Sequence, residues 1–223
     1  MGSPDPIDAE FERLLDAGPR PDGADSVPAL LIRRAKDVHE PLIGKRARFL
    51  MTSHSPEGDW LAYGWKDGLR IVSEPSRGAG QLEEAGIWVQ EERDFYGDCD
   101  TTNRFAVGLS RVWVEQYVSA APERAGFPER AWIDNLNRDP NSSEFRRLAP
   151  IEGYPDPVGR RVLVIGEEVV TDMRAVGPVR MASSGELAMP VMSERDWYRW
   201  ARDYPLAPHP TLRWELAMNV WVE

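Results

Sequence analysis

The 223-residue chain contains a single cysteine, Cys99. That alone excludes an internal disulfide framework and a thiolate cage for a metal. Two flanking carboxylates, Asp98 and Asp100, disfavour a reactive thiolate at Cys99. Histidine is as scarce: His39, His54 and His209 stand in unrelated contexts, and none pairs with another ligand at helical spacing, so no histidine metal site is expected. No stretch approaches the roughly 18 consecutive apolar residues of a membrane span. The first residues also lack the basic-then-apolar order of a secretion signal. The expectation is therefore a cytoplasmic protein with no membrane partner. A nucleophile elbow, a Walker loop and a dinucleotide fingerprint are all missing, and no cofactor is expected.

Lysine is the other shortage, with three against 24 arginines. A GC-rich genome produces such a skew, which points to a high-GC bacterium or its phage. Acidic residues outnumber basic ones, 37 to 27, for a formal charge of −10. The deficit is spread along the chain, and no long segment is basic, so a nucleic-acid partner is not expected. The small clusters Lys45-Arg46-Arg48 and Arg160-Arg161 read either as phosphate contacts or as charges guarding a strand edge.

Tryptophan, by contrast, is abundant, with nine copies. Together with arginine it makes the composition of interface anchors. Trp60, Tyr63 and Trp65 lie in a segment around a Pro56-Glu57-Gly58 turn. They are the candidate partner-binding patch, because loops on rigid scaffolds commonly carry function.

The main organising feature is an internal repeat. Gly44-Lys45-Arg46-Ala47-Arg48-Phe49 is matched from Gly159 onward by Gly-Arg-Arg-Val-Leu-Val. Leu69-Arg70-Ile71-Val72 answers Met173-Arg174-Ala175-Val176. Glu92-Arg93-Asp94-Phe95-Tyr96 answers Glu194-Arg195-Asp196-Trp197-Tyr198. Val112-Trp113-Val114-Glu115 answers Val220-Trp221-Val222-Glu223. The matches are collinear, and the segment from about Ser53 to Gly64 is extra to the first copy.

Each copy reads as three strands, a short helix and a closing strand. Alternating Ala47, Phe49 and Met51 mark a half-buried strand, and the uniformly apolar 162–165 marks a more central one. The Glu-Arg-Asp segment reads as a strand-to-helix corner. In the second copy Ser193, with Asp196 three residues on, caps the helix, and Trp197, Trp200, Ala201 and Tyr204 form its apolar stripe. In the first copy Gly97 ends the helix after one turn. Residues 5–15, 26–40, 122–137 and 142–148 read as helical segments.

The expected architecture is α+β. It comprises an N-terminal helical segment (1–39), a β-rich module (40–115), a helical connector (116–155) and a second, related module (156–223). Asp98-Cys99-Asp100-Thr101-Thr102 resembles the Asp-x-Asp-x-Thr nucleophile motif of haloacid-dehalogenase-type phosphatases, which would imply an aspartyl nucleophile beside magnesium. It departs from that pattern because it follows a corner rather than a buried strand, and no parallel βα framework surrounds it. Asp98 and Asp100 remain a candidate cation site. The expected function is non-catalytic protein binding or assembly, as in a phage or bacterial assembly component. The alternative is a phage-encoded accessory inhibitor or regulator of a host enzyme or recombinase. An enzyme with an undetected carboxylate site is the third reading.

Overall fold

The computed structural model describes residues 28–54, 56–57, 60–82, 84–97, 103–118, 144–182, 185–203 and 212–223. Among them the chain forms two compact units, Ala29–Arg146 and, with Pro28, Arg147–Glu223. Each is built on one antiparallel sheet.

The first sheet contains β1 (Ala29–Arg34), β2 (Arg46–His54), β3 (Trp60–Ile71), β4 (Ser76–Arg77), β5 (Ala85–Glu91), β6 (Arg104–Gly108), β7 (Val112–Val118) and β8 (Glu144–Arg147). Its order is β4-β5-β3-β2-β7-β1-β8, with β6 also paired to β5. The second contains β9 (Ala149–Pro150), β10 (Arg161–Ile165), β11 (Val169–Ala175), β12 (Arg180–Met181), β13 (Leu187–Ser193), β14 (Arg213–Leu216) and β15 (Val220–Val222). Its order is β12-β13-β11-β10-β15-β9, with β14 also paired to β13. Apart from β8, the two orders coincide strand for strand.

The registers coincide too. Arg46 faces Arg70 across β2 and β3, as Arg161 faces Arg174 across β10 and β11. Arg34 faces Trp113, as Pro150 faces Trp221. Two short helices, α1 (Glu92–Tyr96) and α2 (Glu194–Asp203), follow β5 and β13 without an intervening loop.

Strand alternation separates two faces in each sheet. One carries the apolar core: Ala47, Leu69, Ile71, Ile87, Val89, Val107, Val112 and Val114 in the first unit. Val162, Val164, Met173, Ala175, Met189, Val191, Val220 and Val222 do the same in the second. The opposite face of the first sheet carries Arg46, Arg48, Arg70, Trp113 and Glu115.

The result is mostly β, and several helical expectations give way. Residues 29–34, expected within a helix over 26–40, form β1, followed by a 3-10 turn at Ala35–Asp37. The segment Ala-Leu-Leu-Ile-Arg-Arg suits a helix locally, but its apolar side chains gain more by pairing along β7. Residues 144–147, expected as part of a helical turn, are strand β8. Residues 1–27 and 119–143, with the remaining expected helices, lie outside the described residues. Each unit also has a strand between helix and closing strand, β6 or β14, that the sequence pattern did not reveal.

Candidate functional site

The Glu-Arg-Asp motif stands at the junction where β5 becomes α1 and β13 becomes α2. In the second unit the helix opens on a side-chain cap: the Asp196 amide donates to Ser193 Oγ at 3.1 Å, and the Ser193 hydroxyl donates to Asp196 Oδ2 at 2.8 Å. The first helical residue, Glu194, points inward and has 0% exposure. Arg161 Nε and Arg174 Nε donate to its Oε1 at 3.0 and 3.1 Å. Arg174 then donates to the Gly159 carbonyl at 2.8 Å and to Tyr198 Oη at 2.9 Å. One guanidinium thereby ties together a turn, a strand and a helix.

The first unit repeats the arrangement. Glu92, 1% exposed, has Arg70 Nε at 3.2 Å and Arg46 Nε at 3.4 Å from its Oε1. Arg70 donates to the Gly44 carbonyl at 3.1 Å and lies 5.2 Å from the Tyr96 ring centre. Two further carboxylates extend this cluster. Arg46 Nη1 lies 3.7 Å from Glu115 Oε2, and Arg48 bridges Asp67 at 2.8 Å and Glu115 at 3.3 Å. Leu163 occupies the position of Arg48 in the second unit. The two basic clusters of the sequence are corrected accordingly. Arg46 and Arg48 are buried on interior strand β2, and Arg161 is half-buried on interior strand β10; these three arginines guard no strand edge.

The turns anchored by these arginines are alike. Lys45 N donates to the Leu42 carbonyl, and Arg160 N to that of Pro157, at 3.0 and 2.9 Å. Gly44 and Gly159 take φ of +83° and +79°, a conformation that disfavours any side chain.

The proposed partner patch falls on a lengthened hairpin. The extra residues of the first copy extend β2 and β3, so Trp60, Tyr63 and Trp65 lie on a strand rather than in a loop. Trp65 is half-buried and meets buried Trp113 edge to face, with ring centres 4.9 Å apart. The side chains of Trp60 and Tyr63 lie outside the described set, as do Asp98, Cys99 and Asp100. Among the described residues, no three His, Cys, Asp or Glu side chains are grouped to hold a metal ion, and no helix is long and apolar enough to cross a membrane. On α2, Trp197 and Trp200 are half-buried as expected of the stripe, whereas Ala201 is exposed; Tyr204 lies outside the described residues.

Sequence reasoning found the corner and the cap but missed the partners of its glutamate. The signal was available: Arg46/Arg161, Arg70/Arg174 and Glu92/Glu194 are identical in the two copies.

No family model, curated protein or solved structure matches the chain.

Proposed function

We propose that this chain is a non-catalytic protein-binding or assembly protein, built by duplication of one β-rich module. The observation that carries this reading is the place of the shared Glu-Arg-Asp motif. Its carboxylate is enclosed by two guanidiniums in both copies and has no exposed surface through which to meet a substrate. The glutamate that opens this repeated motif therefore serves folding. The surfaces of the two modules are left to carry recognition, with the lengthened hairpin bearing Trp60, Tyr63 and Trp65 as the first module's distinctive feature.

Native mass spectrometry, coupled to affinity capture from a cell lysate and reconstitution with the purified partner, tests the reading. A complex of fixed stoichiometry is expected. It should weaken in Trp60→Ala or Tyr63→Ala with circular dichroism unchanged. Trp65→Ala is a poorer probe because Trp65 also packs on Trp113. A strictly monomeric chain that retains no partner would overturn the reading. Turnover of a substrate panel that disappears in Asp98→Asn would favour an enzyme instead.

A further inference from the structure

Both copies keep the tryptophan of the closing strand, Trp113 and Trp221, but its surroundings differ. Arg34 lies across from Trp113, where Pro150 lies across from Trp221. On the other flank Arg48 stands where the second unit has Leu163. Trp65, opposite Leu50, takes the place that Val169 holds opposite Ile165. The second unit reaches the same strand order without these three residues, so the module does not require them for folding.

In the first unit the three meet through Trp113. The guanidinium carbon of Arg34 lies 5.1 Å from the centre of the Trp113 ring. Trp65 packs edge to face on that ring at 4.9 Å, and Arg48 lies 5.7 Å from the Trp65 ring centre. What the first module has added is therefore one contiguous group, at the base of its lengthened hairpin.

Charge is balanced across the rest of this face. Arg48 pairs with Asp67 and Glu115, Arg46 with Glu115 and Glu92, and Arg70 with Glu92. Arg34 stands apart. Among the described residues its side chain makes no ion pair and no hydrogen bond, not even with exposed Asp37 in the turn that follows. Its Nε is buried and meets no acceptor. The indole N–H of Trp113, a residue only 1% exposed, is buried and meets none either. Stacking on an indole offsets part of a guanidinium's charge but supplies no acceptor to its N–H groups. A buried donor left unpaired is costly, and more so when it is ionised. Here a charged donor and a neutral one belong to side chains in contact. Arg34 is only half-buried, so solvent reaches the side chain.

We infer that Arg34 and the Trp113 indole N–H form a binding site for a single carboxylate, present in the first module alone. One unpaired guanidinium matches one negative charge, and its planar fork fits the two oxygens of a carboxylate. A phosphate group, with about two negative charges, would call for a second cation, and the neighbouring Arg48 is already committed to Asp67 and Glu115. Trp65 and Arg48 act as positioning residues that hold the Trp113 ring and its N–H in place. A free organic acid and an acidic side chain of a bound polypeptide present the same group. The site stands independently of the protein-binding reading above.

The test is a titration of the full, isotope-labelled chain with sodium acetate at constant ionic strength, read on the Trp113 indole N–H resonance. Trp113→Phe assigns that resonance. Acetate should shift it saturably in the millimolar range, and inorganic phosphate should bind more weakly. The Trp221 indole, which faces Pro150, should not respond. Arg34→Gln should weaken acetate binding about tenfold or more. The same variant should leave the ligand-free melting temperature within about 2–4 °C of wild type, because only the stacking is lost. Arg34→Lys, which keeps the charge but not the fork, should fall between the two. Tighter binding of acetyl-Ala-Glu-Ala-amide than of acetate would assign the carboxylate to a polypeptide, and the reverse would assign it to a free acid. No saturable shift with acetate, or one unaltered in Arg34→Gln, would overturn the site. Unfolding of Arg34→Gln would also overturn it, marking Arg34 as structural. Tighter binding of phosphate than of acetate would overturn the choice of carboxylate.

Discussion

The two units reach the same strand order with different fillings. In the first, β6 places Phe105 and Val107 on the core face. In the second, β14 puts Arg213 and Glu215 at those positions, ion-paired to each other. On the opposite face the first unit has Ala106, against which the backbone at Gly80 packs so closely that no side chain fits there. The second fills the same position with the buried indole of Trp214. Arg48 and Gln90 in the first correspond to Leu163 and Met192 in the second. Strand order survives these exchanges, while the turn glycine, the two clasp arginines, the corner glutamate and its tyrosine do not vary. These residues, with the identical Val-Trp-Val-Glu closing strands, mark what the module requires, while positions such as Arg48/Leu163 and Ala106/Trp214 adapt volume and charge locally.

Perturbing the clasp should break the parallel most severely. Arg70→Ala and Arg174→Ala each leave a buried carboxylate short of a partner and should each cost about 3–5 kcal/mol, measured by urea denaturation. Next comes the tryptophan of the closing strand. Trp113 is fully buried whereas Trp221 is half-buried, so Trp113→Ala should cost about 3–5 kcal/mol and Trp221→Ala distinctly less. Gly44→Ala and Gly159→Ala should cost about 1–2 kcal/mol each, nearly equally, because both occupy the same left-handed conformation. Ser193→Ala should cost about 1 kcal/mol. Its counterpart Glu91 makes no side-chain cap, so Glu91→Ala should show no comparable loss.

The smallest effect concerns a group the first unit lacks. Burial raises the Glu215 carboxyl above its ordinary range, against the opposing pull of Arg213. A carboxyl raised on folding binds its proton more tightly in the native state, so its contribution is favourable at low pH and is lost as pH rises through the raised value. Glu215→Gln should therefore be somewhat more stable than wild type at neutral pH. The gain should shrink as pH falls below the raised value and be gone once pH reaches the ordinary glutamate range, as thermal melts across pH would report.

The repeat made much of this fold legible in advance. Strands β2, β5, β10, β13 and the Val-Trp-Val strands follow from alternation and β-branched content, and Ser193 and Gly97 bounded the helices through local chemistry. What stayed hidden depends on distant partners. The Ala29–Arg34 segment has the residues of a helix and becomes a strand through pairing with β7. Strands β6 and β14 are short, five and four residues, and β14 carries two charges, so their patterns are weak. Arg46 and Arg48 read as surface residues because arginine usually is one, and their burial depends on Glu92 and Glu115, far along the chain. The same applies to Trp65, whose partner Trp113 lies in another strand.

The most direct test of the account is hydrogen exchange, read module by module, in Glu92→Ala and Glu194→Ala. If the shared motif serves folding, Glu92→Ala should strip protection from β2, β3 and β5 while leaving β10, β11 and β13 protected, and Glu194→Ala should do the reverse. Unchanged protection in both variants, with loss of a binding or catalytic activity, would contradict it.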